Sequence, residues 1–259
     1  MAQHRNHLGC DTKAVMENDM SNEGFFFVKL AGLTVKITHT HNAVKVHCRD
    51  YTVDAVDEPD IAAATSQALI ESEKNAADHP CSEAYCENIC LYRDIAEKMP
   101  IFDRVVFHGA SVEVGGEGYI FTAPSGTGKT THIGLWFKYF GDKVKIINGD
   151  KPILRLDGDK VSVCSTPWAG KERLERNTEA PLRAITLIKR STENKISRIS
   201  PKEYFSELAK QFYLPKNAQA RLKTLDIIDK ILSGVPIYLL ECNISREAAE
   251  LSFNTLTKG

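Results

Sequence analysis

The residues best suited to chemistry form a short glycine-rich segment, Ala123-Pro-Ser-Gly-Thr-Gly-Lys-Thr130. It follows the pattern G-x-x-x-x-G-K-[ST], with alanine in place of the first glycine. Gly126 and Gly128 allow the backbone to turn tightly, so that several N–H groups can point at one phosphate. Lys129 can reach the terminal phosphates, and the Thr130 hydroxyl can bind Mg²⁺. The predicted nucleotide-binding residues are Ser125, Gly126, Thr127, Gly128, Lys129, Thr130 and Thr131.

The elements on either side of this loop have the types that a phosphate-binding loop requires. Residues 118–122 are apolar and predict a strand, and residues 129–140 predict an amphipathic helix. The helix would begin at the loop, so its N-terminal dipole would attract an anion. The alternative is a fortuitous glycine-rich turn before a helix.

Two further residues are candidates for the same site. Asp150 lies about twenty residues beyond the loop, after the apolar strand predicted over residues 144–148. A carboxylate there can hold Mg²⁺ or accept a proton from an attacking hydroxyl. His108 precedes two predicted strands, residues 110–114 and 118–122, and a hairpin between them would return its strand to the loop. A turn aspartate and a buried structural histidine are the alternative interpretations.

Two segments carry weaker indications. Trp168, Lys171 and Arg173 follow one another closely around a glycine, and the two cations could neutralise a transferring phosphoryl group. Trp168 could stack on a base or cover the acceptor, and a solvated loop with a packed tryptophan is the alternative. Gln211, with the two aromatic residues after it, ends a predicted helix and could contact an acceptor or a neighbouring subunit.

The composition limits the classes of function. The chain has 259 residues, a net charge of −1 and 42% hydrophobic residues, so it can bury an ordinary core and is not a polybasic nucleic-acid-binding protein. No apolar run has the length of a membrane span, and the N-terminus has no secretory pattern, so we expect a cytoplasmic protein. The seven cysteines are irregularly spaced, which predicts reduced thiols rather than a zinc site.

The pattern predicts two parts. Residues 1–100 form a small α+β portion, in which residues 1–22 are flexible, and residues 101–259 form an α/β domain with a mixed sheet. In the first part, strands are predicted at residues 24–30, 33–38 and 43–48, and helices at 60–74 and 83–99. In the second, further strands are predicted at 104–107, 184–188 and 237–242, and helices at 201–213, 218–233 and after Ser245, which caps the last one.

The order of these residues resembles one family. His108-Gly109, two hairpin strands and the loop Ser125-Gly-Thr-Gly-Lys-Thr130 look like the catalytic domain of HPr kinase/phosphorylase, a bacterial enzyme that phosphorylates a serine of a carrier protein. The loop also resembles that of phosphoenolpyruvate carboxykinases. The resemblance covers residues 104–155 well and the remaining C-terminal part loosely. It implies a P-loop kinase fold of this type, and a homo-oligomer.

The resemblance also implies roles. Residues 125–130 would bind ATP phosphates and Mg²⁺, Asp150 would be the general base or a metal ligand, and His108 would lie near the transferred phosphate. The family has two adjacent acids after the strand, whereas here Asp150 is preceded by Gly149 and followed by Lys151. The family's Arg-Gly-x-Gly stretch is not recognisable, and residues 1–100 do not resemble its regulatory domain. These departures favour a paralogue with another acceptor.

We therefore predict an ATP- and Mg²⁺-dependent kinase that phosphorylates a hydroxyl, serine foremost. The acceptor would belong to a small protein, a peptide or a small molecule, and neither nucleic acid nor membrane would be a partner. The catalytic residues would be His108, Lys129 and Asp150, with Thr130 and Asp150 as metal ligands. The alternatives are a nucleotide-binding regulatory module without transfer chemistry and a carboxykinase-like lyase.

Overall fold

The structure is a computed structural model that describes residues 24–78 and 80–258. The contacts of the chain divide it into two compact units, with the division after Ile95. The segment 1–22, expected to be flexible, lies outside the described residues. Each unit contains a mixed sheet, so the chain is a mixed α/β protein.

The first unit is built on a four-stranded sheet in the order β3-β1-β2-β4. Its strands are β1 (Gly24–Leu30), β2 (Leu33–His39), β3 (Thr52–Val53) and β4 (Ile61–Ala63). Strands β1 and β2 are antiparallel and joined by Ala31 and Gly32, both with positive φ (48° and 84°), as in the tight turns typical of hairpins. Strand β4 pairs parallel to β2, which makes the sheet mixed.

The helices of this unit are α1 (Asn42–His47), α2 (Gln67–Ala76) and most of α3 (Glu83–Lys98), with a 3-10 turn at Arg49–Tyr51. The last residues of α3, from Ala96, belong to the second unit. Helix α3 agrees closely with the helix predicted over residues 83–99. The strand predicted over residues 43–48 is wrong, since most of this segment is helix α1. Val44 and Val46 are two positions apart, so in a strand both side chains would lie on the same face. Instead Val44 is buried and Val46 is exposed. The N–H of Cys48 donates to the carbonyl of Val44, four residues earlier, as in a helix.

The helix predicted over residues 60–74 is also partly wrong. Its first residues form β4, where Ile61 pairs with Val35 of β2. The helix begins only after Ser66, whose hydroxyl accepts a hydrogen bond from the N–H of Leu69 at 3.4 Å. The apolar residues at the start of this segment have helical spacing, but the first of them pair with the edge of the sheet instead of forming a helix.

The second unit contains one sheet of nine strands, and the longest strand pairs with three of the others. The nine strands are β5 (Arg104–Val106), β6 (Ala110–Val114), β7 (Glu117–Thr122), β8 (Lys145–Asn148), β9 (Ile153–Asp157), β10 (Lys160–Cys164), β11 (Glu179–Arg190), β12 (Lys195–Arg198) and β13 (Ile237–Cys242). The order is β5-β9-β10-β11-β7-β6-β8, and β13 pairs with both β11 and β12. Strands β7, β11 and β13 are mutually parallel in this order, and β6 is antiparallel to both β7 and β8.

The helices of the second unit are α4 (Lys129–Phe140), α5 (Phe205–Ala209), α6 (Ala218–Gly234) and α7 (Arg246–Lys258), with 3-10 turns at Met99–Phe102 and Gly141–Lys143. Helix α5 is much shorter than the helix predicted over residues 201–213. The chain leaves the helix because Phe212 forms a β-bridge with Phe107 and the carbonyl of Gln211 accepts the N–H of His108. Ser245 caps α7 as expected, accepting from the N–H of Ala248 at 3.2 Å.

The parallel strands are buried on both faces. Neighbouring residues of one strand enter different cores: Ile120 packs with the residues of α6, whereas Phe121 packs against Ile133 and Trp136 of α4. Continuous apolar strands are the pattern expected of parallel sheets covered on both sides. Because both faces of the sheet are covered, the carboxyl ends of these strands are left open at the edge of the sheet. The glycine-rich loop follows β7 at this edge.

Within residues 24–78 and 80–258, no helix is both long enough and apolar enough to cross a bilayer.

Candidate functional site

The glycine-rich loop has the conformation that its sequence predicts. Gly126 and Gly128 have φ of 76° and 120°, in the region that favours glycine. The N–H of Thr127 donates to the carbonyl of Pro124 at 3.2 Å, which closes the turn, and α4 begins at Lys129 directly after it. Ala123 has no positive φ, so alanine fits in place of the first glycine of the pattern.

Lys129 lies beneath this loop. Its side chain is buried, and Nζ donates to the carbonyl of Ala123 at 3.0 Å. Burial lowers the pKa of Lys129, the charge of Asp150 raises it, and the charge of Lys151 lowers it. The loop therefore holds a partly desolvated ammonium group, and the charged side chains of Asp150 and Lys151 lie close enough to shift the pKa of Lys129.

The strand topology explains why distant residues meet at this loop. Strand β6 runs antiparallel to both β7 and β8, so its beginning lies beside the ends of those two strands. His108 precedes β6, the loop follows β7 and Asp150 follows β8. The carbonyl of His108 accepts the Thr122 hydroxyl at 2.8 Å, and the N–H of Gly109 donates to the carbonyl of Asp150 at 3.0 Å. The structure thus brings together the three residues predicted to be catalytic.

Both oxygens of the Asp150 carboxylate have cationic or imidazole partners. His108 Nε2 lies 3.3 Å from Oδ1, and Lys151 Nζ lies 2.8 Å from Oδ2. Burial acts to raise the pKa of Asp150, but the hydrogen bonds and charges of His108 and Lys151 outweigh it and lower the pKa to about 2. Asp150 is therefore a stable carboxylate at neutral pH.

A buried asparagine, Asn148, positions Asp150, and it is not among the residues predicted from the sequence. Oδ1 of Asn148 accepts the N–H groups of Asp150 and Lys151 at 2.9 and 2.8 Å. Its Nδ2 donates to the carbonyl and the hydroxyl oxygen of Thr166 at 2.9 and 3.2 Å. The Thr166 hydroxyl in turn donates to the carbonyl of Lys151 at 2.7 Å. An Asn that closes a strand and is followed by Gly-Asp is a signal for such a turn.

The segment 166–173 contributes its backbone to the site more than its predicted side chains. Gly170 packs on Asp150, since a Cβ at Gly170 would lie 3.2 Å from the Asp150 Cβ. Trp168 is buried, and its backbone N–H donates to the Thr166 hydroxyl oxygen at 3.2 Å. Arg173 forms an ion pair with Glu175 at 2.9 Å, and Lys171 is exposed directly after Gly170.

Gln211 was predicted as a candidate for contact with an acceptor or a neighbouring subunit, and in the structure it contacts His108. Its Oε1 lies 3.0 Å from Nδ1 of His108, on the opposite side of the ring from Asp150. Gln211 is buried in the segment after α5. It therefore belongs to the site through His108.

Arg190 holds the outer side of the glycine-rich loop. It lies at the end of β11, and its guanidinium donates to the carbonyl of Thr127 at 3.0 Å and to that of Gly126. An open cavity lies beside these groups, lined by residues of the loop, of the end of β11 and by Glu207. No sequence pattern near Arg190 predicted this contact, because the residues lie more than sixty positions apart.

The site fits a phosphate and a divalent cation. The loop offers backbone N–H groups, a helix N-terminus and a lysine, which are the donors that phosphates require. Thr130 and Asp150 offer the hard oxygen ligands that Mg²⁺ prefers. In residues 24–78 and 80–258, no three His, Cys, Asp or Glu side chains form a cluster able to hold a metal. Mg²⁺ is commonly held by one or two protein oxygens together with phosphates and water.

No family model and no curated protein sequence matches this chain. Among solved structures, the HPr(Ser) kinase/phosphatase from Coxiella burnetii is similar over 59% of this chain and 88% of that chain, with a TM-score of 0.36 and 11% sequence identity. The similarity is distant and concerns the fold. It assigns no activity and no residue role to this chain.

Proposed function

We propose that this protein is an ATP- and Mg²⁺-dependent phosphotransferase that moves the γ-phosphoryl group to a hydroxyl, serine foremost. The acceptor would be a small protein, a peptide or a small molecule. The observation that carries the proposal is the convergence of the Lys129 loop, Asp150 and His108 at one edge of the sheet. A phosphate-binding loop alone would support nucleotide binding, whereas an adjacent carboxylate and imidazole add groups that can act on an acceptor.

The proposed roles follow from the chemistry of each group. The backbone of residues 125–131 and the Lys129 ammonium would bind and orient the donor phosphates. Thr130 and Asp150 would hold Mg²⁺, which when bound neutralises charge on the phosphate oxygens. Asp150 would orient or deprotonate the hydroxyl. Catalysis in such a site is mainly positioning and electrostatic stabilisation, because there is little covalent chemistry for the protein to perform.

One observation favours a second candidate, a nucleotide-binding regulatory module. Lys151 forms an ion pair with Asp150 at 2.8 Å, so one carboxylate oxygen is already bound by a cation of the same chain. Such a pair competes with a metal or a hydroxyl for that oxygen. A regulatory module would bind ATP and leave its phosphates intact.

Transfer of label from [γ-³²P]ATP tests the proposal. The full chain would be incubated with Mg²⁺ and pools of free amino acids, of serine-containing peptides and of cell extract. We expect a labelled product that disappears in Lys129→Ala, which removes the loop cation, and falls about 10²-fold or more in Asp150→Asn. Mass spectrometry of the product would identify the acceptor.

Matched variants separate site effects from general damage. Lys138→Ala changes an exposed lysine on the same helix as Lys129, and Asp159→Asn changes an exposed turn aspartate. Both should keep wild-type transfer. ATP binding without a labelled product in any pool would favour the regulatory module, and ATP binding that persists in Lys129→Ala would overturn both interpretations.

A further inference from the structure

Two cysteines at the start of α3, in the first unit, have their sulfur atoms in contact. Sγ of Cys81 and Sγ of Cys86 lie 2.9 Å apart, and neither residue is in a disulfide. A disulfide bond joins its two sulfurs at about 2.0 Å, so a shift of about 1 Å brings these atoms to bonding distance. The proposed transfer reaction does not use this pair.

The cap of α3 explains the contact. Ser82 caps the helix, because its hydroxyl oxygen accepts the N–H of Tyr85 at 3.2 Å and its carbonyl accepts the N–H of Cys86 at 3.1 Å. Cys81 therefore precedes the cap, and Cys86 is the fourth residue of the helix. Side chains at these two positions often pack against each other across the first turn of a helix. Here both side chains are thiols, so the cap holds two sulfurs together.

The two thiols differ in their access to solvent. Cys86 is fully buried, and burial, followed by the contact with Cys81, raises the pKa of its thiol. Cys81 is partly exposed, in the segment between α2 and α3. Cys90 lies one turn beyond Cys86, and its Sγ faces the carbonyl of Leu69 at 3.6 Å. A reagent from solvent therefore reaches Cys81 before Cys86.

We propose that Cys81 and Cys86 form a redox-active dithiol, which a low-molecular-weight disulfide oxidises to an intramolecular disulfide. The Cys81 thiolate attacks one sulfur of the small disulfide, whose S–S bond breaks, and the first small thiol leaves with a proton from water. Cys86 then loses its proton to water and attacks Sγ of Cys81, and the second small thiol leaves. The protein loses two electrons and two protons, and the small disulfide gains them and becomes two thiols.

The disulfide would close the cap of α3 covalently. In the reduced chain, the first turn is held by the hydrogen bonds of Tyr85 and Cys86 to Ser82 and by the contact of the sulfurs. A covalent bond between residues 81 and 86 limits the opening of this turn, because its ends can no longer separate. Oxidation therefore protects the start of α3.

Mass mapping of the full chain tests the dithiol. A Cys10→Ser background would be used, since Cys10 lies outside the described residues, and glutathione disulfide would be the oxidant at neutral pH. The reaction would be stopped with acid, alkylated under denaturing conditions and digested with trypsin. The peptide 75–93 contains Cys81, Cys86 and Cys90. We expect this peptide to lose two hydrogens, with the bond between Cys81 and Cys86, and dithiothreitol to restore all three thiols.

Single variants test the order of attack. Cys86→Ala removes the second thiol, so Cys81 should accumulate a stable glutathione adduct. Cys81→Ser should lower the rate of thiol loss at Cys86 by about tenfold or more, because the remaining thiol is buried. Cys90→Ser is the matched control on the same helix, and it should form the disulfide at the rate of the unsubstituted pair.

Hydrogen exchange tests the covalent cap. The amides of Tyr85 and Cys86 should exchange several-fold more slowly in the oxidised chain than in the reduced chain. The start of α2 provides the control, because Ser66 caps it through the N–H of Leu69 at 3.4 Å. The exchange of this amide should not change on oxidation.

The outcomes are decisive without ATP or an acceptor, so they are independent of the transfer reaction. A glutathione adduct that persists on Cys81 while Cys86 is present, a bond between other cysteines, or no loss of thiols would overturn the dithiol. These results require only the unsubstituted pair, so they hold even if Cys86→Ala fails to fold. Unchanged exchange at Tyr85 and Cys86 in the oxidised chain would overturn the covalent cap.

Discussion

At the scale of single residues, the candidate site depends on side chains that never need to touch a substrate. Asn148 is fully buried and makes four hydrogen bonds to the segments that carry Asp150 and Thr166. Its neighbour Gly149 packs against the carbonyl of Ala169, where a Cβ would lie at 2.6 Å. The position of the Asp150 carboxylate is thus set by a polar network and a close backbone approach.

We expect Asn148→Leu to destabilise the protein by about 1–3 kcal/mol, because it leaves the N–H groups of Asp150 and Lys151 without their acceptor. Urea unfolding followed by circular dichroism would measure the loss. Asn254→Leu alters an exposed residue of α7 and serves as the control. An Asn148→Leu variant as stable as the wild type would show that the network is not needed for the fold.

The ionisation of Asp150 predicts a pH dependence of stability. Its pKa is lowered from 3.8 to about 2, so its contribution is complete above 3.8 and is lost as the pH falls toward about 2. The difference in unfolding free energy between wild type and Asp150→Asn should therefore shrink across this range, by about 2 kcal/mol. Urea titrations at a series of pH values would measure it, and a constant difference would contradict the ion pairing.

At the scale of elements, the loop is held between α4 beneath it and the end of β11 beside it. Helix α4 is tied to α7 through Ser252, whose hydroxyl oxygen lies 2.9 Å from His132 Nε2 and from Trp136 Nε1. All three side chains are buried. This packing fixes the axis of the helix whose N-terminus forms the loop.

The buried histidine of α4 makes the junction sensitive to acid. Burial lowers the pKa of His132 from 6.5 to about 4, so folding favours the neutral ring. Its contribution to stability is complete above 6.5 and falls as the pH drops toward about 4, by about 3 kcal/mol in total. Calorimetry of wild type and His132→Phe across this range should show a weaker pH dependence in the variant, and identical slopes would refute the assignment.

The end of β11 supports the loop from the other side. Because Arg190 donates to two loop carbonyls, Arg190→Met should leave the fold intact and weaken ATP binding by up to about 30-fold, as expected for two hydrogen bonds worth about 1 kcal/mol each. Isothermal titration calorimetry would measure the affinity. Arg183→Met changes an exposed arginine of the same strand and should bind ATP as the wild type does.

At the scale of the whole molecule, every residue of the candidate site belongs to the second unit. This unit contains two core clusters of its own, one on each face of its sheet. It also keeps Glu97, whose carboxylate accepts from the Tyr213 hydroxyl and the Lys216 N–H at 2.9 Å. These features are those of a part that folds by itself.

We therefore expect residues 96–259, expressed alone, to unfold cooperatively and to bind ATP as the full chain does. Thermal unfolding and calorimetric titration of the two proteins would test this. A fragment that is unfolded or does not bind ATP would show that the first unit is needed to form the site.

Much of the second unit could be predicted from the sequence, because local signals and burial agree there. The loop, the strands around it and α4 were found nearly in full, since apolar runs bounded by glycine admit few alternatives. The first unit was predicted less well. Residues 43–48 alternate like a strand, but residues 43–47 fold as part of a helix. Residues 60–74 have helical spacing, but residues 61–63 pair with β2, because tertiary contacts overrode weak local preferences.

The sequence by itself determined the position and the turn of the glycine-rich loop, since the pattern of that loop is contained in eight consecutive residues. It also identified Asp150 and His108 as candidates, since both lie at the ends of recognisable strands. Only the tertiary structure decided the rest. The pairing of His108 with Asp150 and Gln211, and the contact of Arg190 with the loop, join residues distant in sequence. Such contacts depend on strand order and register, which a linear pattern does not encode.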